Sequence, residues 1–194
     1  MNCLKLLQAI QADERYRQNL EWGEPRNGHP EGTIRAHIQE LEDNLEELQP
    51  LLLDGEAEQL RILIHVHDSF KPAAQPGVAI THDQSHASLA RSFLAEFCSN
   101  TDLLNMVQFH DEPYALWRQH YFRGQVNQDR LRNLLSTIEN WDLFHLFLII
   151  DGCTAGKSRE PLSWWFEQTK SAIESQISSS HLLPLNVVSG RSKI

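Results

Sequence analysis

Ten histidines stand among 194 residues, and several recur with leucine and isoleucine at the spacing of a helix face. A residue advances about 100° around an α-helix, so Ile34, His37, Ile38, Leu41, Leu45 and Leu48 share one stripe, with His37 on its apolar side. Leu60, Leu63, Ile64 and His67 form a second stripe, and Asp68 follows it in the chain. His82, His86, Leu89, Phe93 and Phe97 line up further on, as do Leu103, Met106, Val107 and His110. Trp141, Phe144, His145 and Leu148 make a fifth stripe that ends in Asp151. A single histidine on an apolar face is more often a hydrogen-bonded core residue than a ligand. Five such stripes pose a harder problem, because each buried polar group without a partner is costly, and one cation ligated by all of them removes most of that cost. Imidazole and carboxylate donors without thiolate suit iron, manganese, nickel, zinc or magnesium, and argue against a closed structural zinc site. The candidate ligands are His37, His67, Asp68, His82, His86, His110 and Asp151.

Helices must carry these residues inward. Gly, Pro and Asn mark loops at 22–32, 53–56, 71–80, 124–127 and 152–161. Between them the apolar period predicts helices near 2–20, 33–49, 57–68, 82–98, 102–110, 113–122, 128–138, 141–150 and 161–178. Thr33 and Ser85 are candidate helix caps, and Pro161 suits a first helical position. The pattern is all-α: a single-domain helical bundle with an N-terminal helix and loop over 1–28, a metal-binding core over 29–160, and a C-terminal helix and tail over 161–194. The Ser-rich, Pro-broken stretch from Ser178 onward predicts an extended or partly disordered tail.

Composition bounds the partners. Apolar residues make up 41 % and the net charge is −9, so the chain lacks the broad basic face that duplex nucleic acid requires. A small phosphorylated substrate held by a few local cations remains compatible. Cys3, Cys98 and Cys153 form no CxxC pair and no disulfide framework, which suits a reducing cytoplasm. The first residues, MNCLKLLQAIQADERY, read as neither signal peptide nor anchor, and the longest unbroken apolar run, Leu146 to Ile150, is far short of a membrane span. Oligomeric state is left open by these patterns.

In order and spacing, the residues resemble the HD-domain metal-dependent phosphohydrolase superfamily. His29-Pro-Glu-Gly-Thr-Ile-Arg-Ala-His37 is similar to the HPEG-x-x-x-x-H entry of the HD part of bacterial tRNA nucleotidyltransferases. His67-Asp68-Ser-Phe-Lys71-Pro72 resembles the family's HDxxKP, and His82-Asp83-Gln-Ser-His86-Ala-Ser-Leu-Ala its HExxGAxLA. Met106-Val-Gln-Phe-His110-Asp111 resembles a later histidine element, and Leu148-Ile-Ile-Asp151 the closing aspartate. Arg159-Glu-Pro161 is loosely similar to a stretch in the small diiron dinucleoside polyphosphate hydrolases. The match covers residues 29 to 160, with two departures: Phe70 stands for a glycine, and His86 for another. His82 is therefore the motif-matched ligand, with His86 one turn later as its rival.

The resemblance implies an enzyme with one or two divalent metals, His37, His67, Asp68 and Asp151 at the first and Asp68, His82 or His86, and His110 at the second. Water activated there would attack the phosphorus of a phosphate ester, nucleotide or dinucleotide. Lys71 would steady the phosphoryl oxygens, Arg35 and Arg159 are weaker candidates for that work, and Asp111 would orient His110 from behind. A catalytically degenerate member that senses a nucleotide or binds a partner is the alternative. The chain is too short to be a complete tRNA nucleotidyltransferase.

Other signals read as structural. Gly152-Cys-Thr-Ala-Gly-Lys-Ser158 is one residue short of a phosphate loop, the Trp164-Trp165-Phe166 run reads as core, and His65, His120 and His145 match no motif.

Overall fold

Side chains that recur every three to four residues build each helix, and polar caps start them. In the computed structural model, which describes residues 3–184, the chain is helical throughout, with no strand among those residues. α1 (Cys3–Ala12) and α2 (Glu14–Asn19) split the helix predicted over 2–20, because the Asp13 carboxylate accepts the Arg15 amide and starts a new helix. α3 (Ile34–Leu48) starts at Thr33, whose hydroxyl accepts the Ala36 amide, and buries His37 with the leucine stripe. α4 (Glu56–Val66) ends at His67. α5 (His86–Ala95), α6 (Thr101–Phe109), α7 (Glu112–Arg123) and α8 (Gln128–Thr137) follow.

α9 (Trp141–Gly152) is the axis of the core, with Leu143 through Ile150 buried on every face. α3 and α4 both pack on it, α5 packs on α6, and α10 (Glu160–Thr169) packs on α7 and α9. Asn44 on α3 donates to the Ile150 carbonyl at 2.8 Å, fixing the end of α9 against α3 about two turns beyond His37. No helix among the described residues is long and apolar enough to cross a membrane.

Two predicted boundaries shift, each for a local reason. α5 starts at His86 rather than 82, because the Ser85 side chain accepts the Ser88 amide and caps the helix there. α10 ends at Thr169 rather than 178, because Asp142 captures the next segment, accepting the Gln176 amide at 2.8 Å and the Ser175 hydroxyl at 2.5 Å. The tail predicted from Ser178 contains a 3₁₀ turn, Ser179–His181, followed by Leu182 and Leu183 packed on the core; residues 185–194 lie outside the described residues.

Candidate metal centre

His67 stands at the C-terminal end of α4, where helix carbonyls lack amide partners. Its Nδ1 lies 3.1 Å from both the Leu63 and Ile64 oxygens, so Nδ1 carries the proton and Nε2 turns its lone pair inward. His110, just past α6, repeats the device, with Nδ1 2.8 Å from the Val107 oxygen. The Nδ1 of His37 faces Glu31 Oε1 at 2.9 Å. The rings of His67 and His110 are thus held in one orientation by carbonyl acceptors behind them, as metal-ligating imidazoles are, while Glu31 stands against His37 Nδ1 as a charge partner without hydrogen-bond alignment.

The inward atoms converge on Asp68. Its Oδ2 lies 3.4 Å from His67 Nε2 and 3.9 Å from His37 Nε2, while Asp151 Oδ1 lies 3.0 Å from His37 Nε2 and 3.8 Å from His67 Nε2. Its other oxygen, Oδ1, lies 3.6 Å from His110 Nε2 and 3.7 Å from His86 Nε2. One carboxylate therefore faces two donor groups, His37–His67–Asp68 and Asp68–His86–His110, each able to hold a metal ion.

The donors fit such an ion. Ligand atoms about 2.0–2.2 Å from a cation sit roughly 3.0–3.6 Å from one another by trigonometry, close to the separations seen. His67 Nε2 and Asp68 Oδ1 are buried without any hydrogen-bond partner among the described residues, an arrangement that costs free energy unless a cation fills it. His86 Nε2 and His110 Nε2 face each other at 3.2 Å, where two lone pairs repel and only a proton or a metal can sit between them.

The electrostatics agree. Burial opposes charge on every group here, yet Asp151 and Glu31 raise His37 to about 8, and Asp111 and Asp68 raise His110 to about 9. Burial also opposes ionisation of Asp68 and Asp151, but Lys71 beside the first and Lys157 beside the second hold both carboxyls well below their ordinary range. His67, buried most deeply, is lowered by desolvation. The carboxylates of the centre thus favour cationic neighbours: two lysines and two raised imidazoles stand against them.

Six of the seven candidate ligands meet here, and His82 does not. It precedes the Ser85 cap, so the α5 stripe does not extend back to it; its ring is about half exposed and Nδ1 accepts the Gln84 amide at 3.1 Å. His86, the apparent departure from the motif, occupies the donor position instead. Lys71 contacts Asp68 Oδ2 through its ammonium group. Arg35 points away, pairing with Glu21 at the surface with both side chains more than half exposed. Arg159 is committed elsewhere: its guanidinium donates to six backbone oxygens, Gly152, Cys153, Thr154, Lys157, Leu183 and Pro184, clamping the 152–159 loop to residues 183–184. Both guanidinium groups are thus engaged by other partners in this arrangement. Asp111 sits on the inward side of His110 rather than behind it, with Oδ2 3.3 Å from His86 Nε2 and 3.6 Å from His110 Nε2.

Two residues escaped the helical-stripe reading. Glu31 lies inside the HPEG segment, where its Oε1 accepts from His29 Nδ1 at 2.9 Å as well as facing His37; only the motif could have flagged it. Lys157 donates to Asp151 Oδ1 at 2.8 Å from the glycine-rich loop after α9. That loop closes on the HPEG segment because Gly156, at φ +78°, has no Cβ; one added there would meet Pro30 Cδ at 2.9 Å.

No protein-family model matches the chain, and no curated protein or solved structure is significantly similar to it.

Proposed function

We propose that the protein is an HD-type metal-dependent phosphohydrolase that cleaves a small phosphate ester, nucleotide or dinucleotide by attack of water at phosphorus. The observation that carries this reading is the shared carboxylate, with the two oxygens of Asp68 facing two histidine groups. One or two divalent ions, of iron, manganese, nickel, zinc or magnesium, would supply Lewis acidity, lowering the pKa of water and neutralising phosphoryl charge. His37, His67, Asp68 and Asp151 would hold one ion; Asp68, His86 and His110, with Asp111 beside them, would hold the other. Glu31 and the carbonyls of Leu63, Ile64 and Val107 keep the rings turned inward. Once Asp68 serves an ion, Lys71 is free to donate to a phosphoryl oxygen, where charge develops. Lys157 stands in the same relation to Asp151. Cys3, Cys98 and Cys153, none of them in a disulfide, support a cytoplasmic setting.

The test is to load the purified protein with Mn, Fe, Ni, Zn or Mg and offer nucleotides, cyclic nucleotides and simple phosphate esters. Turnover that Asp68→Ala abolishes is the expected result, and silence across the panel overturns the catalytic reading. A second reading, a degenerate member that binds nucleotide without cleaving it, draws on the same two lysines, each already paired with a carboxylate of the cluster. It predicts nucleotide-dependent thermal stabilisation without turnover.

A further inference from the structure

Beside the cluster opens a cleft of about 390 Å³, within the range of small-ligand pockets and far more than a phosphate ion needs. Its inner end is formed by His110, Asp111 and Asp151. From there one wall climbs α7 through Tyr114 and Trp117, whose rings stack at 5.5 Å, while Pro161 and Leu162 at the start of α10 face it. The Tyr114 ring is half exposed, so ligand-accessible aromatic surface lies directly outward of the metal donors. Asn27 at the rim offers both a donor and an acceptor.

Charge narrows the occupant further. Among the described lining residues Lys157 is the only lysine or arginine, and it stands at the inner end beside Asp151. A chain of phosphates running outward would meet aromatic rings and Asp111 with no second lysine or arginine lining the cleft; Arg118, over the Tyr114 ring at 6.0 Å, is not among the lining residues. A single phosphoryl group at the cluster with an uncharged planar group beyond it fits both ends of the cleft.

We infer that the cleft is the leaving-group site for a nucleoside monophosphate, its base lying on the Tyr114–Trp117 wall and its phosphoryl group between Lys157 and the cluster. The placement of the phosphoryl group rests on the phosphohydrolase reading; the aromatic wall does not. In the reaction water adds its oxygen to phosphorus, the ester P–O bond breaks, and the nucleoside oxygen departs with a proton, giving nucleoside and inorganic phosphate. Base stacking is worth about 1–3 kcal/mol by alanine substitution, or roughly 5- to 150-fold.

The experiment compares adenosine 5′-monophosphate, ribose 5-phosphate and adenosine triphosphate on the metal-loaded protein, by kcat/KM and by calorimetric binding, in wild type, Trp117→Ala and Trp117→Phe, with thermal melts to confirm folding. The monophosphate should exceed both others by at least about tenfold. Trp117→Ala should collapse its advantage over ribose 5-phosphate, and Trp117→Phe should retain most of it. Equal kcat/KM for monophosphate and ribose 5-phosphate, or preference for the triphosphate, overturns the inference and leaves the phosphohydrolase reading standing. Trp117-dependent binding of the monophosphate without turnover of any compound overturns the phosphohydrolase reading and keeps the cleft assignment. Neither turnover nor selective binding overturns both.

Discussion

Helix α9 carries histidine and aspartate chemistry into two environments less than two turns apart, and they treat positive charge in opposite ways. Near its start, His145 is enclosed by Trp141 at 5.4 Å and Phe166 at 4.8 Å. Its Nε2 accepts from Trp165 Nε1 at 3.3 Å, and its Nδ1 donates at 3.0 Å to Ser175 Oγ, which in turn donates to Asp142. The neutral ring satisfies both nitrogens, and a second proton would point at the Trp165 N–H. Desolvation accordingly lowers His145 to about 4. At the far end, Asp151 joins His37 and His67, where burial is as deep but carboxylates surround the rings and donor atoms lack partners. Burial alone does not make a site. What distinguishes the two ends is whether the lone pairs are already used.

Four measurements can break or sharpen this contrast. The largest effect should come from Asp68→Asn, which removes the charge shared by both donor groups: metal content by elemental analysis should fall from stoichiometric to trace. Retention of metal would detach Asp68 from the centre. His145→Ala should act on stability alone, leaving a cavity and a buried Trp165 N–H without an acceptor, with a loss of about 3 kcal/mol in urea unfolding and unchanged metal content. Loss of metal in that variant would mean the two ends are coupled.

The third measurement concerns pH. Above the unfolded value of about 6.5, His145 is neutral in both states and contributes no pH dependence. Below it the unfolded chain takes a proton that the folded chain refuses until about pH 4, so stability falls as pH drops through this window. The contribution approaches about 3 kcal/mol at pH 4. His145→Gln should remove that part of the slope, and parallel wild-type and variant curves would refute the lowered value. The smallest effect is at Glu31. Glu31→Gln leaves all proposed ligands in place but weakens the hold on His37 Nδ1, so metal should bind 10- to 100-fold more weakly by competition with a chelator. Unchanged affinity would show that α3 packing alone orients the ring.

The helical stripes were legible because a 3.6-residue period is a local property. They correctly brought His37, His67, His110 and His145 to buried faces, and Asp151 to a partly exposed position beside them. The same arithmetic misplaced His82, since a period says nothing of where a cap stops it, and Ser85 stops this one. Arg35 and Arg159 could not be judged from type and position, because a guanidinium goes to whichever acceptors the fold brings near: Glu21 for one, six carbonyls for the other. Glu31 and Lys157 reach the centre from loops, where no period exists to mark them.

Sequence alone determined that this chain forms helices with imidazoles and carboxylates on their apolar sides, since spacing sets the face. Only the tertiary structure decided which of those groups share a cavity, which lone pairs stay unused and which lysines stand beside them. Those outcomes depend on contacts between residues more than a hundred positions apart, such as His37 with Asp151, and packing selects such contacts where local spacing cannot.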